Sequence, residues 1–249
     1  MCTISWFVSS NGYDVFFNRD EQKSRVRADV PSEMSIDGVK VLMPIDPQGG
    51  GTWFAANERG LSVALLNYYQ GRLPKGPLIS RGEIVKHCAT LSVLNDIEGY
   101  VDSLSLTRYA PFSLLVFDAL VVENCADGAV TMLRWTGREL QRLSQASPLI
   151  SSAAMFEKVN ELRKENYHTA FDDSCAESLS YDSRVKLHSD YHSGHQPSAS
   201  AFSVCMHRED AHTVSFSHLA VSLENVSMRY ADGAPCQTAE VHELHMLRC

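Results

Sequence analysis

A cysteine at position 2 is the residue of this chain with the most direct route to chemistry. An initiator methionine is commonly trimmed when the next residue is small, and loss of Met1 would leave Cys2 carrying both a thiol and a free α-amine. Their reference pKa values are about 8.5 and about 7.7–8.0. One residue would then hold a nucleophile and a base matched to neutral pH. Further along, Asn18-Arg19-Asp20-Glu21 supplies the groups such a nucleophile needs. Arg19 would lower the thiol pKa by placing a fixed positive charge beside the thiolate. Its structural role would be an ion pair with Asp20 or Glu21. A carboxylate, Asp20 in preference to Glu21, would hydrogen-bond the freed amine and orient it, and Asn18 would close the turn through its side chain. Asn67 is an oxyanion-donor candidate, a role whose loss typically costs about 2.7–4 kcal/mol. It reads equally well as an asparagine ending a strand at a turn.

Strands and turns must bring these residues together. Residues 3–9 are apolar and β-branched, Asn11-Gly12 signals a hairpin, and residues 13–17 return as a second strand that ends at the Asn18 tetrapeptide. Residues 22–33 read as a polar surface loop and 39–45 as a short strand. A glycine-rich turn at 47–51 leads into residues 52–56, a turn at 57–60 and a strand at 61–67, a hairpin apolar on both faces. Gly49 to Gly51 lacks the Lys-Ser/Thr of a phosphate loop, and no cofactor is expected. Ser80 with Glu83 reads as a capping box for a helix over 81–90, followed by a second helix over 95–104. Arg81 and Glu83 serve first as helix-start residues. Residues 114–122 and 130–135 read as strands joined at Ala126-Asp127-Gly128, with 139–143 ambiguous. Met155, Phe156, Val159 and Leu162 form the apolar stripe of a helix over 154–166. Residues 181–200 are polar and without periodicity, hence loop. Residues 201–206 and 213–217 suggest a further hairpin, and strands are expected near 222–230 and 241–247. Strand pairs around helical blocks call for two packed sheets with helices outside them.

A hydrophobic content of 44% and a charged content of 21% permit a sizeable core, while a net charge of −8 argues against nucleic acid or an anionic membrane surface as partner. Seven cysteines without a CxxC pair suit reduced thiols in a reducing, cytoplasmic setting. No signal-peptide pattern is visible. The longest apolar run, residues 114–122, contains Asp118 and is too short to span a bilayer, so no integral membrane association is expected. His188, His192 and His195, with His207, His212 and His218 downstream, could gather on a metal or a haem iron. Without periodicity or accompanying cysteine pairs they read as a solvated loop, and no metal site is expected.

Four landmarks in order resemble the NRDE family, also described as transport and Golgi organisation protein 2-like. They are Met1-Cys2 opening a strand, Asn18-Arg19-Asp20-Glu21 closing the next, Gly51-Thr52-Trp53 with Asn67 ending the following hairpin, and Ser80-Arg81-Gly82-Glu83 opening a helix. Residues 109–117 look like the family's next segment; the second half of the chain matches only as a pattern of strands. The resemblance implies kinship with N-terminal nucleophile hydrolases and a four-layer αββα sandwich, α+β or α/β in class, of two mainly antiparallel sheets covered by helices. It also implies a single domain over residues 1–249 and a cysteine nucleophile. The implied chemistry is cleavage of a linear C–N amide bond in a small acyl substrate, as in penicillin V acylases, bile salt hydrolases and acid ceramidases. The alternative it implies is non-catalytic binding or trafficking of haem, a lipid or acyl-CoA. The catalytic candidates are then Cys2, Arg19, Asp20 and Asn67, and the binding candidates Asn18, Glu21, Trp53 and Arg81. Two departures stand out. Leu149-Ile150-Ser151-Ser152 occupies the place of the family's usual Gly-Leu-Ser-Asn, so that Ser152 replaces an asparagine able to donate to an oxyanion. Gln22 directly follows the tetrapeptide, where Phe and Arg are common.

Overall fold

A computed structural model describes residues 1–119, 129–171, 179–237 and 240–249. β1 (Cys2–Ser9) and β2 (Gly12–Gln22) form an antiparallel hairpin across Ser10-Asn11. Gly12 opens β2 rather than the turn itself. Its φ of 136° and a Cβ position 1.9 Å from the Val221 carbonyl oxygen both demand glycine. β10 (Leu149–Ser151) flanks β1, while β11 (Ala211–Ser222), β12 (Asn225–Ala231) and β13 (Val241–Leu247) extend the sheet beyond β2 in the order β10-β1-β2-β11-β12-β13.

The second sheet runs β3 (Asp29–Ile36), β4 (Val39–Ile45), β5 (Phe54–Asn57), β6 (Leu61–Asn67), β7 (Phe112–Asp118), β8 (Val130–Trp135) and β9 (Leu140–Gln145), each antiparallel to its neighbour. Ile4, Trp6, Tyr13, Val15 and Phe17 from the first sheet meet Phe54, Ala64, Leu66, Leu115, Phe117 and Met132 from the second in one core. The opposite face of the second sheet, with Val41, Val63, Leu65 and Leu114, packs under α1 (Gly82–Cys88) and α2 (Leu94–Ser103) through Ile84, Val85, Ile97 and Val101. α3 (Phe156–Phe171) and α4 (Tyr181–Ser193) cover the outer face of the first sheet. Their contacts there are polar and aromatic: Arg163 reaches Thr3 and Asp20, and His188 and His192 both bond Ser5. The layers are therefore αββα, as expected.

Several local expectations are corrected. Residues 29–36 form an edge strand instead of a loop; it is mostly exposed and carries Pro31, which an edge tolerates. Residues 181–193 form a helix, not a loop, capped where the Ser180 side chain accepts from the Ser183 amide. It buries His188, Tyr191 and His192. His188 and His192 are thus core histidines and not solvated ones. Residues 201–206 are not a strand; an isolated bridge between His207 and His212 precedes β11, which pairs with β2 and β12. Ser80 provides no side-chain cap for α1, whose N-cap is Arg81. Met155 lies outside α3 and is 60% exposed, while Arg163 takes a fully buried place on that helix. The strand expected over 114–122 ends at Asp118, and the turn at Ala126-Asp127-Gly128 lies outside the described residues.

Candidate functional site

The β1–β2 register sets the geometry of the site. The Asp20 amide donates to the Met1 carbonyl (3.0 Å) and the Met1 amino group to the Asp20 carbonyl (3.2 Å), so these two residues form a hydrogen-bonded pair. Cys2 and Arg19 are the next pair along and must be non-hydrogen-bonded, the kind in which side chains lie closest. Strand alternation puts Cys2, Arg19 and Glu21 on the face toward the second sheet. Asn18 and Asp20 fall on the face toward α3 and α4.

A cleft of about 370 Å³ opens on the Cys2 face, at one end of the sandwich. Met1, Cys2, Arg19 and Glu21 line it from the first sheet. Trp53, Asn67, Tyr69 and Arg81 line it from the second sheet and the start of α1. The Arg19 guanidinium lies 4.3 Å from the Trp53 ring centroid, a cation–π contact. It is also held by Glu21 at 3.5 Å and Asp46 at 3.9 Å. Arg25 bonds Asp46 and lies 3.5 Å from Glu21. Burial alone would raise the Asp46 carboxyl, but Arg25 and Arg19 together hold it below the usual carboxylate range. Asn67 Nδ2 donates to the Tyr69 hydroxyl at 2.8 Å, while its carbonyl accepts from Ser151, the residue paired with Cys2 across β1 and β10. Arg81 Nη1 donates to the Pro111 carbonyl (2.9 Å), and no carboxylate among the described residues pairs with it.

The electrostatics couple these groups. Burial pushes the Cys2 thiol above its ordinary value; the N-terminal ammonium pulls it down, the Asp20 carboxylate pushes it up, and Arg19 pulls it down weakly. The downward pull expected of Arg19 is present, yet burial outweighs it. Burial also raises Tyr69, with a bond from Asn67 and the charge of Arg81 acting against it and the Cys2 thiolate adding to it. Burial lowers Arg81, and a charged Tyr69 or Cys2 would draw it back up. A thiol, a phenol and a guanidinium without a carboxylate partner among the described residues thus line one cleft.

The other two candidates of the tetrapeptide face the helices. Asn18 Nδ2 donates to the His192 and Val204 carbonyls (2.8 and 3.1 Å). The buried Asp20 carboxylate accepts from Thr213 Oγ1 at 2.7 Å and pairs with Arg163 at 3.3 Å, both partners being fully buried in their side chains. A role for Asp20 at the N-terminal amine would therefore run through its backbone carbonyl. Ser152 is buried against the N-terminus, its hydroxyl 2.8 Å from Met1 Sδ. Four participants had not been singled out: Tyr69, Arg25, Asp46 and Arg163. Arg163 had a signal, since Phe156, Val159, Arg163 and Tyr167 fall on one helical stripe, but a charged residue there reads as solvent-facing.

A family model described as Transport and Golgi organisation 2 matches residues 1–174. No curated protein matches the chain by sequence. Among solved structures, the C2A mutant of conjugated bile acid hydrolase from Clostridium perfringens superposes with a TM-score of 0.62 at 10% identity, covering 99% of this chain and 92% of that one. Penicillin V acylase from Agrobacterium tumefaciens gives 0.61 at 10% identity, covering 98% and 86%. The Caenorhabditis elegans orthologue of N-acylethanolamine-hydrolyzing acid amidase gives 0.56 at 9%, covering 88% and 92%. At such identities the likeness concerns the fold, which is that of the N-terminal nucleophile hydrolases. No helix among the described residues is long and apolar enough to cross a membrane.

Proposed function

Since the chain belongs to the Transport and Golgi organisation 2 family and has the fold of N-terminal nucleophile hydrolases, we propose that it cleaves a linear amide bond of a small acyl substrate through Cys2. Met1 is removed first. The Cys2 thiol then passes its proton to its own α-amine and attacks the carbonyl carbon. The C–N bond breaks, the departing nitrogen takes the proton, and water hydrolyses the thioester to restore the thiol. In this reading Asn67 and Tyr69, which line the same cleft, donate to the oxyanion, and Arg81, without a carboxylate partner among the described residues, holds an anionic group of the substrate. Arg19, fixed on Trp53, favours the thiolate that burial opposes.

The observation that carries this reading is the closest-approach pairing of Cys2 with Arg19 at the mouth of a cleft whose far wall is Asn67, Tyr69 and Arg81. Intact mass spectrometry of the purified protein is the first test, with loss of one methionine expected. Turnover of acyl amides by wild type and by the Cys2→Ala variant is the second. Amidase activity that survives Cys2→Ala would sink the proposal.

A second reading keeps the cleft as a binding site for haem, a lipid or acyl-CoA without chemistry. It is favoured by the burial that raises the Cys2 thiol and by Ser152, which stands where the family usually has an asparagine able to donate to an oxyanion. Retained Met1, together with ligand binding unaffected by Cys2→Ala, would support it.

A further inference from the structure

Four potential metal ligands converge on the far side of β2 from the cleft. His195 follows the C-terminus of α4, Cys205 and His207 lie in the segment before β11, and Cys236 sits in a short 3-10 turn, Pro235–Gln237, between β12 and β13. Their ligand atoms all lie within 4.8 Å of one another. Three edges of the cluster are 3.4 Å for Cys205 Sγ to Cys236 Sγ, 3.7 Å for Cys205 Sγ to His207 Nε2 and 3.3 Å for His207 Nε2 to Cys236 Sγ. The His195 and His207 rings lie with centroids 5.0 Å apart.

A tetrahedral Zn²⁺ site with Zn–S of about 2.3 Å and Zn–N of about 2.0–2.1 Å has edges of about 3.8 Å between sulfurs, 3.6 Å from sulfur to nitrogen and 3.3 Å between nitrogens. The three measured edges fall within a few tenths of an ångström of these values. An independent observation points the same way: His195 Nε2 is buried and has no hydrogen-bond partner. A buried polar atom left unpaired costs free energy, and metal ligation would satisfy it.

We propose that His195, Cys205, His207 and Cys236 form a structural Cys2His2 zinc site. Four protein ligands close the coordination sphere, which suits a structural site and leaves no open position for catalysis. On binding, the two thiols release their protons to solvent and the two thiolates balance the dication, so that the buried centre carries no net charge. The site clamps a segment with little regular structure, residues 194–207, to the β12–β13 connection. Its reach toward the cleft is short. Met206, between two of the ligands, donates its amide to Thr213 Oγ1 (2.8 Å), and that hydroxyl donates to Asp20 (2.7 Å). Asn18 is tied to the carbonyl of Val204, and Arg163 to the carbonyls of Phe202 and Ala201. The metal would thus brace the strand that carries Arg19 without touching Cys2. The site departs from the expectation that no metal is bound.

Elemental analysis of protein purified under reducing conditions without chelator, and dialysed against metal-free buffer, should find one zinc per chain. Cys236→Ser should lose it and Cys249→Ser, at an exposed and unrelated thiol, should keep it. If the ligand variants fail to fold, the wild type still decides. Replacement of zinc by Co²⁺ should give the visible absorption of a tetrahedral thiolate site, and a mercurial titration should release the metal as two thiols react. Three results would overturn the assignment: wild type that takes up no zinc when reduced and supplied with it, zinc retained by Cys236→Ser, or a Cys205–Cys236 disulfide that persists in the reduced protein.

Discussion

Lowering the pH from 8 to 5 should cost this fold about 2 kcal/mol through buried His192 and more through buried His188, a large share of the roughly 5–15 kcal/mol typical of a domain. Ser5 Oγ lies 2.7 Å from His188 Nδ1 and 2.9 Å from His192 Nε2, beneath α4. Phe16 stacks on His188 with centroids 4.6 Å apart and on His218 at 4.3 Å. Among the described residues no carboxylate bonds either ring. His188 is pushed well below the ordinary histidine value by burial first, then by His192, His218 and Arg184. His192 falls to about 3, through burial and then Arg163 and His218. The nearest carboxylate of that layer, Asp14, is taken by His218 at 2.7 Å and by the Tyr181 hydroxyl at 2.9 Å. A histidine whose folded pKa lies below its unfolded value contributes stability that is intact above about pH 6.5 and is lost as the pH falls toward the folded pKa. At pH 5 the unfolded His192 ring has gained a proton that the folded ring refuses. At about 1.36 kcal/mol per pH unit, the 1.5 units below 6.5 come to about 2 kcal/mol for His192, and His188, shifted in the same direction, adds to the loss. Urea unfolding followed by tryptophan fluorescence at pH 8, 6.5, 5.5 and 5 measures the loss. The His188→Gln/His192→Gln double variant should be less stable at pH 8 yet lose at least about 2 kcal/mol less than wild type over the same range. A double variant that keeps the wild-type slope would refute the argument, since every other titrating group is common to both proteins.

Arg163→Met should destabilise by about 3–5 kcal/mol, because it strands the buried Asp20 carboxylate without its cation. Adding Asp20→Asn should recover most of that loss, and a double variant no more stable than the single one would remove the ion pair as the cause. Gly51→Ala places a Cβ 2.5 Å from the Gly82 carbonyl carbon, a backbone atom at the start of α1, and should cost about 1–3 kcal/mol. Gly99→Ala, inside α2 with nothing within 4 Å of the new Cβ, should instead stabilise by about 0.5–1 kcal/mol. Thermal or urea unfolding distinguishes the two, and equal effects of the same sign would contradict the packing at Gly51.

What could be read from the sequence follows how each layer is glued. The inner core is apolar, so strands that feed it announce themselves by apolar residues: β4 over residues 39–45 and β6 over 61–67 were expected at those bounds, as was the edge strand β13 over 241–247, of which only Met246 is buried. Gly51-Thr52 and Ser80-Arg81-Gly82 were visible as landmarks, and the physical reason for two of their glycines is mutual. Each would drive a Cβ to within 3.0 Å of the other's backbone or its immediate neighbour's. The outer layer on the first sheet uses a different glue. α4 buries His188, Tyr191 and His192, and α3 buries Arg163, so the helical period is carried by residues that count as polar in any hydropathy pattern. α4 starts at a Ser180 cap and has no apolar stripe to follow it, so residues 181–200 read as loop. The metal ligands were equally hidden, because three separate backbone segments deliver them and only Cys205 and His207 are close in sequence.

The division of Asn18-Arg19-Asp20-Glu21 between two faces was available from the sequence by parity alone. In a two-residue hairpin the partners of successive residues run down one strand as they run up the other. Moving the turn by one residue therefore shifts every partner by two and leaves its face unchanged. With the turn at Ser10-Asn11, as observed, Cys2 faces Arg19. With the turn at Asn11-Gly12, as the residue types suggested, it would face Glu21. Either way Arg19 and Glu21 share the face of Cys2, and Asn18 and Asp20 take the other. The choice of Asp20 over Glu21 as the carboxylate nearest the nucleophile rested on chemistry without that constraint. The structure puts Glu21 on the cleft side, bound to Arg19 at 3.5 Å, and commits the Asp20 carboxylate to Arg163 and Thr213 behind the sheet. The Asp20 backbone pairs with Met1, while its carboxylate ties that end of β2 to α3 through Arg163 and, through Thr213, to the segment bearing Cys205 and His207.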